Sequence, residues 1–194
     1  MKRAFLRFAL GVTLGAAVAG LGFRAAPTFA YNLMGPKWPS TSQKYDPHTL
    51  SAPWQSVADF GSLQWTNVSP SPFNWSVDNN SVNDITKGAI DGALGTLAVT
   101  TVYYSGNSIT KITIKFDQAE NWYTGSGTPG GGQVDAESVS AHEFGHGAGI
   151  AHTQSGNCPS CPNRVTMCAS YSLGSTCMRS LEGDDRNALN ALYP

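Results

Sequence analysis

Apolar side chains recur at helical spacing after residue 51 and predict the first helix. Ser51 supplies a capping hydroxyl and Pro53 a proline in the first turn, which is typical of a helix start. The apolar face of this helix consists of Trp54, Val57, Ala58, Gly61 and Trp65. Tryptophans in such a row can also form a platform for a sugar or a nucleotide base. Packing of a core-facing helix against a sheet accounts for the whole stripe, and we predict that role.

Two later stretches have the composition of strands. Residues 95–104 are rich in β-branched and aromatic side chains, and residues 109–116 alternate apolar and polar positions with one slip. Gly106 and Asn107 lie between them. The two stretches therefore predict a pair of strands joined by a tight turn.

Both ends of the segment from residue 31 to residue 194 also have residue patterns that predict secondary structure. Residues 31–39 place aromatic residues between turn formers and predict a first strand or a lead-in segment. Residues 181–193 predict a last helix, because Asp184 and Asp185 favour a helix N-terminus. The inward-facing residues of this helix are Ala188, Leu189 and Leu192.

The first thirty residues have the pattern of an export signal. Lys2, Arg3 and Arg7 precede an apolar run of small residues, and Thr28-Phe29-Ala30 has small residues where a signal peptidase reads the chain. A membrane anchor is the competing interpretation, but the run falls short of the roughly 20 apolar residues that a span requires. We therefore predict a signal peptide over residues 1–30 and one domain over residues 31–194. Residues 2–7 also resemble a twin-arginine signal but lack the arginine pair, so the general secretory route is favoured over twin-arginine export.

Composition limits the classes of partner. Four of the 12 basic residues lie before residue 31, so the remainder carries 8 basic against 13 acidic groups. Without a basic stripe or a polybasic run, we expect no nucleic-acid partner and no membrane association after signal cleavage. We expect a secreted, extracellular monomer.

The four cysteines all lie late in the chain. They are Cys158, Cys161, Cys168 and Cys177. An even number in an exported chain predicts two disulfides, whose three pairings the sequence leaves open. Half of a zinc knuckle at Cys158 and Cys161 is the alternative, but the later pair has the wrong spacing to complete it.

A helix is predicted to place two histidines and a glutamate together. His142 and His146 are four residues apart, so on a helix both imidazoles project from one face and can bind one metal ion. Glu143 lies beside them, where its carboxylate can accept a proton from water. The rival interpretation is that these are ordinary helix-surface residues without a metal.

A glycine and a third histidine complete the pattern. Gly149 can take a positive φ and turn the chain back, which brings His152 toward the other two histidines. Three protein ligands leave a tetrahedral zinc ion one open position, the arrangement of a catalytic rather than a structural site. The sequence therefore predicts one catalytic Zn²⁺ held by His142, His146 and His152.

The motif H-E-x-x-H-x-x-G-x-x-H resembles that of the metzincin metalloproteases. Gly145 within it, together with residues 181–193, makes the chain most similar to the matrixin branch. The resemblance implies an α+β fold with a twisted, mostly parallel sheet, an antiparallel edge strand, an active-site helix capped by Asp135, and a C-terminal helix. It also implies a Met-turn at Met167, whose thioether packs under the histidines without binding the metal.

The same resemblance implies where substrate binds. In matrixins the edge strand pairs with an extended substrate through its free backbone groups, and the residues that take this role here are Leu97, Ala98 and Val99. The outer wall of the pocket that follows the scissile bond then consists of Ala169, Ser170 and Tyr171.

Calcium and latency are further points of comparison with matrixins. Asp117 and Glu120 resemble calcium-binding residues, but two carboxylates are fewer oxygens than calcium requires, and a solvated strand end is favoured. No cysteine precedes Cys158, so a cysteine switch has no thiol in this chain. Matrixins also pair the freed N-terminus with a carboxylate of the last helix, and we hypothesise that Tyr31 pairs with Asp184 or Asp185.

We predict a secreted, zinc-dependent metalloendopeptidase that hydrolyses extended protein or peptide substrates with Glu143 as general base. The alternative is a non-catalytic, secreted binding module that zinc stabilises. Glu143 favours the enzyme, because a structural zinc site has no use for a base beside an open position.

Overall fold

The computed structural model describes residues 31–66, 68–154 and 158–194, together with the backbone of residues 5–11. The predicted cleavage point after Ala30 lies outside the described residues. The strands are β1 (Phe5–Gly11), β2 (Asn32–Leu33), β3 (Ser42–Tyr45), β4 (Asn74–Val77), β5 (Asp84–Gly88), β6 (Thr96–Ser105), β7 (Ser108–Asp117), β8 (Trp122–Tyr123), β9 (Val134–Asp135), β10 (Ile150–Ala151) and β11 (Ser170–Ser172). The helices are α1 (Ala52–Trp65), α2 (Ala136–Gly147) and α3 (Gly183–Leu192).

The strands of the main layer are mostly parallel. β4 runs parallel to β3, and β5 runs parallel to β7. A parallel bridge between Asp46 and Asp84 joins β3 to β5, with the Asp46 carbonyl accepting the Ile85 amide at 2.9 Å. β7 follows β6 through the turn at Gly106 and pairs with it in antiparallel orientation. The predicted α+β fold with a mostly parallel layer is confirmed.

One strand of this layer comes from the first thirty residues. The backbone of β1 pairs in parallel with β6 and antiparallel with β11. In the full chain β6 therefore has a partner on the side that we predicted to be a free edge. An edge strand carries unpaired N–H and C=O groups, and β1 satisfies them.

The core lies between the sheet and two helices that cross closely. A Cβ atom at Gly61 of α1 would lie 2.6 Å from the backbone carbon of Ser140 in α2, so only glycine allows this approach. Phe144 of α2 packs edge-on against Tyr45 and Trp75, with ring centroids 5.0 and 5.4 Å apart. Among the described residues, no helix has the length and apolar character needed to cross a membrane.

The predicted helix faces and the cysteine chemistry are also confirmed. The apolar faces predicted for α1 and α3 are buried. Disulfides join Cys158 to Cys168 and Cys161 to Cys177, which resolves the three pairings and leaves no thiols for a zinc knuckle. Both bridges connect the segment after the third histidine to the chain around β11.

Candidate metal centre and cleft

α2 begins where the sequence predicted its cap. The Asp135 carboxylate accepts hydrogen bonds from the Ser138 amide at 3.0 Å and from the Ser138 hydroxyl at 2.7 Å. Arg179 adds a charge-assisted pair to the buried Asp135, with distances of 2.6 and 2.9 Å. The start of the helix is therefore fixed by a cap and by an ion pair.

Glycines let α2 lie deep in the protein. A Cβ at Gly145 would lie 2.5 Å from the Trp65 ring and would also overlap the Met167 sulfur. A Cβ at Gly147 would lie 2.8 Å from Ile112. These close contacts require the absence of side chains at both positions and place the methionine directly under the helix.

The chain turns back at Gly149, as predicted. Its φ is +100°, its amide donates to the His146 carbonyl at 2.9 Å, and a Cβ there would lie 3.0 Å from the Pro36 carbonyl oxygen. β10 follows at once and pairs with β2. The turn therefore directs His152 back toward α2.

The three predicted ligands lie together. His142, His146 and His152 place their ligand atoms within 4.8 Å of one another, the one such group of three among the described residues. The Nε2 atom of His152 is 3.2 Å from Nε2 of His142 and 3.1 Å from Nε2 of His146. Nitrogens that bind zinc at 2.0–2.1 Å in a tetrahedron are about 3.3 Å apart. These spacings fit one zinc ion.

Backbone carbonyls select the ring nitrogens that face the centre. Nδ1–H of His142 donates to the Thr166 carbonyl at 2.7 Å, and Nδ1–H of His146 donates to the Ile150 carbonyl at 2.8 Å. A carbonyl can only accept, so each Nδ1 carries the proton and each Nε2 lone pair is available for a metal.

Burial keeps these histidines neutral. Desolvation is the main cause that lowers the pKa of His142 and His152, and it lowers the pKa of His146 to about 3. Neutral imidazole is the form that binds metal. The site is thus prepared for a cation, whereas protonated rings at these distances would repel each other.

Glu143 points one oxygen at a protein partner. Its Oε2 lies 2.5 Å from the hydroxyl of Thr100 on β6, whereas its fully buried Oε1 has no hydrogen-bond partner among the described residues. Burial raises the pKa of the Glu143 carboxyl to about 8, against hydrogen bonds from Thr100 that lower it. A buried carboxylate oxygen without a partner calls for a water molecule or a cation nearby.

The turn at Met167 is held from the last helix. The Asp185 carboxylate accepts the amides of Thr166 and Met167 at 2.9 and 3.1 Å. Thr166 in turn accepts the bond from His142. Met167 is almost fully buried, so its predicted packing role agrees with its position. No sequence pattern marks Asp185 for this role, since its partners are backbone groups distant in the chain.

The segment that begins at Tyr31 supports the third histidine. The side-chain amide of Asn32 donates to the His152 carbonyl, and the Met34 amide donates to the Gly149 carbonyl, each at 3.0 Å. The backbone nitrogen of Tyr31 donates to Asp184 at 3.2 Å. Of the two partners hypothesised for Tyr31, Asp184 is the one in contact.

The two predicted substrate-binding segments lie on opposite sides of β1. Val99 pairs with Ala9 on one side, and Tyr171 pairs with Leu6 on the other. β6 and β11 are therefore separated by the width of one strand. The side chains of Leu97 and Ala98 are buried, that of Val99 is half-buried, and Ala169 is exposed.

Two side chains near β11 face inward. The Tyr171 hydroxyl accepts the Asp135 amide at 2.9 Å, so this ring supports the start of α2 and only its backbone lies along the cleft. Arg164, which sequence reasoning missed, donates to the carbonyl and the hydroxyl of Ser170. It supports the wall from behind, and no local pattern marks it.

Within the part of the chain that the structure describes, Asp117 and Glu120 belong to no group of three potential metal ligands. The Asp117 carboxylate accepts the amides of Asp91, Gly92 and Ala119 at 2.9 to 3.1 Å. Glu120 is buried, which raises its pKa. Asp117 thus closes the loop before β6. Both acidic residues are buried, so the expected solvation of this strand end is wrong.

Comparison with known proteins agrees with this geometry. The family model described as Matrixin matches residues 27–194, a span that includes α2, both turns and α3. A search of curated proteins gave no match. Because the family model covers most of the chain, the protein belongs to the matrixin family.

Proposed function

We propose that the chain is a zinc-dependent metalloendopeptidase in which Glu143 is the general base. Family membership supports a zinc metalloprotease in general. The observation that carries the finer proposal is the buried Oε1 of Glu143, which has no hydrogen-bond partner among the described residues and belongs to the same helix as two of the three histidines whose Nε2 atoms converge. A structural zinc site would have neither the open position nor the base.

The histidines and Glu143 have different roles in the proposed reaction. His142, His146 and His152 would hold the zinc ion, which supplies a Lewis acid that activates water and polarises the peptide carbonyl. Glu143 Oε1 accepts a proton from the attacking water. The same carboxyl then returns that proton to the leaving amine, so the base ends in its starting form.

An extended peptide is the substrate that the cleft favours. β6 and β11 both offer backbone groups to one strand between them, as the pairing with β1 illustrates. Strand addition gives affinity through main-chain hydrogen bonds and leaves alternate side chains free for recognition. Leu97, Ala98 and Val99 would supply one side, and Ala169, Ser170 and the backbone of Tyr171 the other.

We also propose that the protein is exported and acts outside the cell as a monomer. The pattern of residues 1–30 and the two disulfides support export, since disulfides persist in oxidising compartments. Expression with residues 1–30 intact, followed by N-terminal sequencing of protein in the medium, tests cleavage after Ala30.

The test of the enzyme is Glu143→Ala in the chain that begins at Tyr31. We expect zinc content and unfolding midpoint to be unchanged while casein hydrolysis falls by about 10³-fold, within the range that general base catalysis contributes. Wild-type protein treated with a chelator serves as the second arm. If zinc binds and wild-type protein cleaves neither casein nor a peptide library, the binding module is the better description.

A further inference from the structure

We propose that Thr100 is a positioning residue that holds the catalytic carboxylate of Glu143 in place. This inference rests on the proposed role of Glu143 and adds a residue from another element to it. Thr100 acts through Glu143, and its side chain is fully buried beneath the cleft wall that β6 forms.

Thr100 is a polar residue in an apolar row. Along β6, Ala98, Thr100 and Val102 are buried on the side that faces α2. Strand periodicity gives all three positions the same environment. A valine would suit the middle position, because it has the shape of threonine without the hydroxyl. A buried hydroxyl requires a partner.

The partner of this hydroxyl is the carboxylate. The Thr100 hydroxyl lies 2.5 Å from Glu143 Oε2 and 3.1 Å from the Glu143 carbonyl oxygen. In a helix that carbonyl already accepts an amide four residues on. The Thr100 hydroxyl therefore donates its proton in the shorter contact, the hydrogen bond to Glu143 Oε2.

Fixing one carboxylate oxygen determines the direction of the other. Glu143 has three rotatable side-chain torsions. Its fully buried carboxylate accepts one side-chain hydrogen bond through Oε2, and Oε1 has no partner among the described residues. The Thr100 bond thereby selects the rotamer that directs Oε1 away from β6. General base catalysis depends on this distance and direction, and a displacement of about 1 Å can cost about 10²-fold in rate.

The test compares Thr100→Val with Thr100→Ser, and uses Thr101→Val as the matched control on the opposite face of β6. We expect Thr100→Val to lower kcat for peptide hydrolysis by about tenfold at unchanged KM and zinc content. Serine restores the hydroxyl, so Thr100→Ser should lie within about twofold of wild type, as should Thr101→Val. Should Thr100→Val not fold, Thr100→Ala takes its place in the comparison.

A second readout does not depend on activity. The side-chain carboxyl carbon of Glu143 is identified in NMR spectra by its absence in Glu143→Ala. We expect its resonance to shift in Thr100→Val and to return in Thr100→Ser. If kcat and this resonance are unchanged in Thr100→Val, or if serine does not restore them, Thr100 is not a positioning residue. If wild-type protein hydrolyses nothing but the resonance responds as expected, the proposed reaction fails and the contact stands.

Discussion

The histidine centre and the cleft walls are held by different kinds of contact. Around the centre, His142 and His146 donate to main-chain carbonyls, and Asp185 holds the Met167 turn through main-chain amides. The wall at β11 depends on the side chains of Arg164 and Tyr171 and on two disulfides.

This difference separates metal binding and catalysis from the selection of the peptide. Main-chain carbonyls are present whatever the residue, so substituting the side chains of Thr166 and Ile150 leaves the acceptors of His142 and His146 in place. The walls depend on particular side chains, so their substitution alters which peptide fits. We therefore expect variants of the centre to lose the metal or the reaction, and variants of the walls to change KM.

The largest effect is expected from removing a ligand, His146→Ala. Two histidines bind zinc far more weakly than three, so the isolated protein should contain little zinc and should not hydrolyse peptide. His48→Ala is the matched control, because His48 pairs with Asp46 outside the cluster. Metal analysis and peptide hydrolysis check both. Equal zinc in the two variants would contradict the assignment of His146 as a ligand.

A smaller loss is expected where the two regions meet, at Arg179. Its guanidinium pairs with the fully buried Asp135 at the start of α2 and donates to the carbonyls of Gly125 and Ser126. Arg179→Met leaves the buried Asp135 carboxylate without its cation, and we expect the free energy of unfolding to fall by about 3–5 kcal/mol.

The control for this prediction is an exposed ion pair. Lys44 bonds to Asp78 at 2.8 Å with its side chain 63% exposed. Lys44→Met should leave the urea midpoint close to that of wild type, because solvent screens the pair. Urea unfolding of both variants measures the difference. A similar loss of unfolding free energy in Arg179→Met and Lys44→Met would show that burial does not increase the contribution of the Arg179 ion pair to stability.

The centre could be predicted from the sequence because its geometry is local. The i, i+4 spacing of His142 and His146 fixes their common face, and Gly149 fixes the return to His152. The paired strands β6 and β7 followed from their alternation and from a glycine turn. Each of these features depends on a few consecutive residues.

The supports of the site could not be predicted in the same way. Asn32 contacts His152 across 120 residues, and Asp185 contacts Met167 across 18. Neither Asn32 nor Asp185 belongs to a sequence pattern that indicates its partner. Thr100 did leave a signal, since a threonine interrupts the apolar side of a strand, but only the position of α2 names its partner. The pairing of β1 with β6 joins segments about 90 residues apart and has no local pattern.

Asp185 gives the region behind the centre a pH dependence. Burial raises the pKa of Asp185 to about 6, above its ordinary value, despite three amide donors. The folded state therefore binds the proton more tightly than the unfolded state. Stability from this group is present at pH 4 and is lost as the pH rises through 6. Relative to Asp185→Asn, wild type should lose about 2–3 kcal/mol over that range.

Urea unfolding between pH 4 and 7 measures this change. Both proteins are kept in chelator, so the proton dependence of zinc binding does not enter. Asp184→Asn is the matched control, because Asp184 is the adjacent carboxylate on the same helix. A parallel pH dependence in wild type and Asp185→Asn would show that Asp185 keeps an ordinary pKa.

The smallest effect concerns the walls, and it compares the chain with and without residues 1–30. β1 pairs with both walls in the full chain, so an incoming peptide must displace it. A competing strand within the chain raises KM and leaves kcat unchanged at saturating peptide. We expect kcat/KM of the full chain to be about tenfold lower than that of the chain beginning at Tyr31, at equal zinc content.

The control for this comparison replaces residues 5–11 by glycine and serine in the full chain. Such a segment has low strand propensity and loses more conformational entropy on pairing, so it should leave the cleft open. Its KM should then match that of the chain beginning at Tyr31. If the full chain and both shortened or replaced forms share one KM, β1 does not compete with peptide. A lower kcat with equal KM would instead show that residues 1–30 act on the histidine centre. The walls would then not be the region through which these residues act.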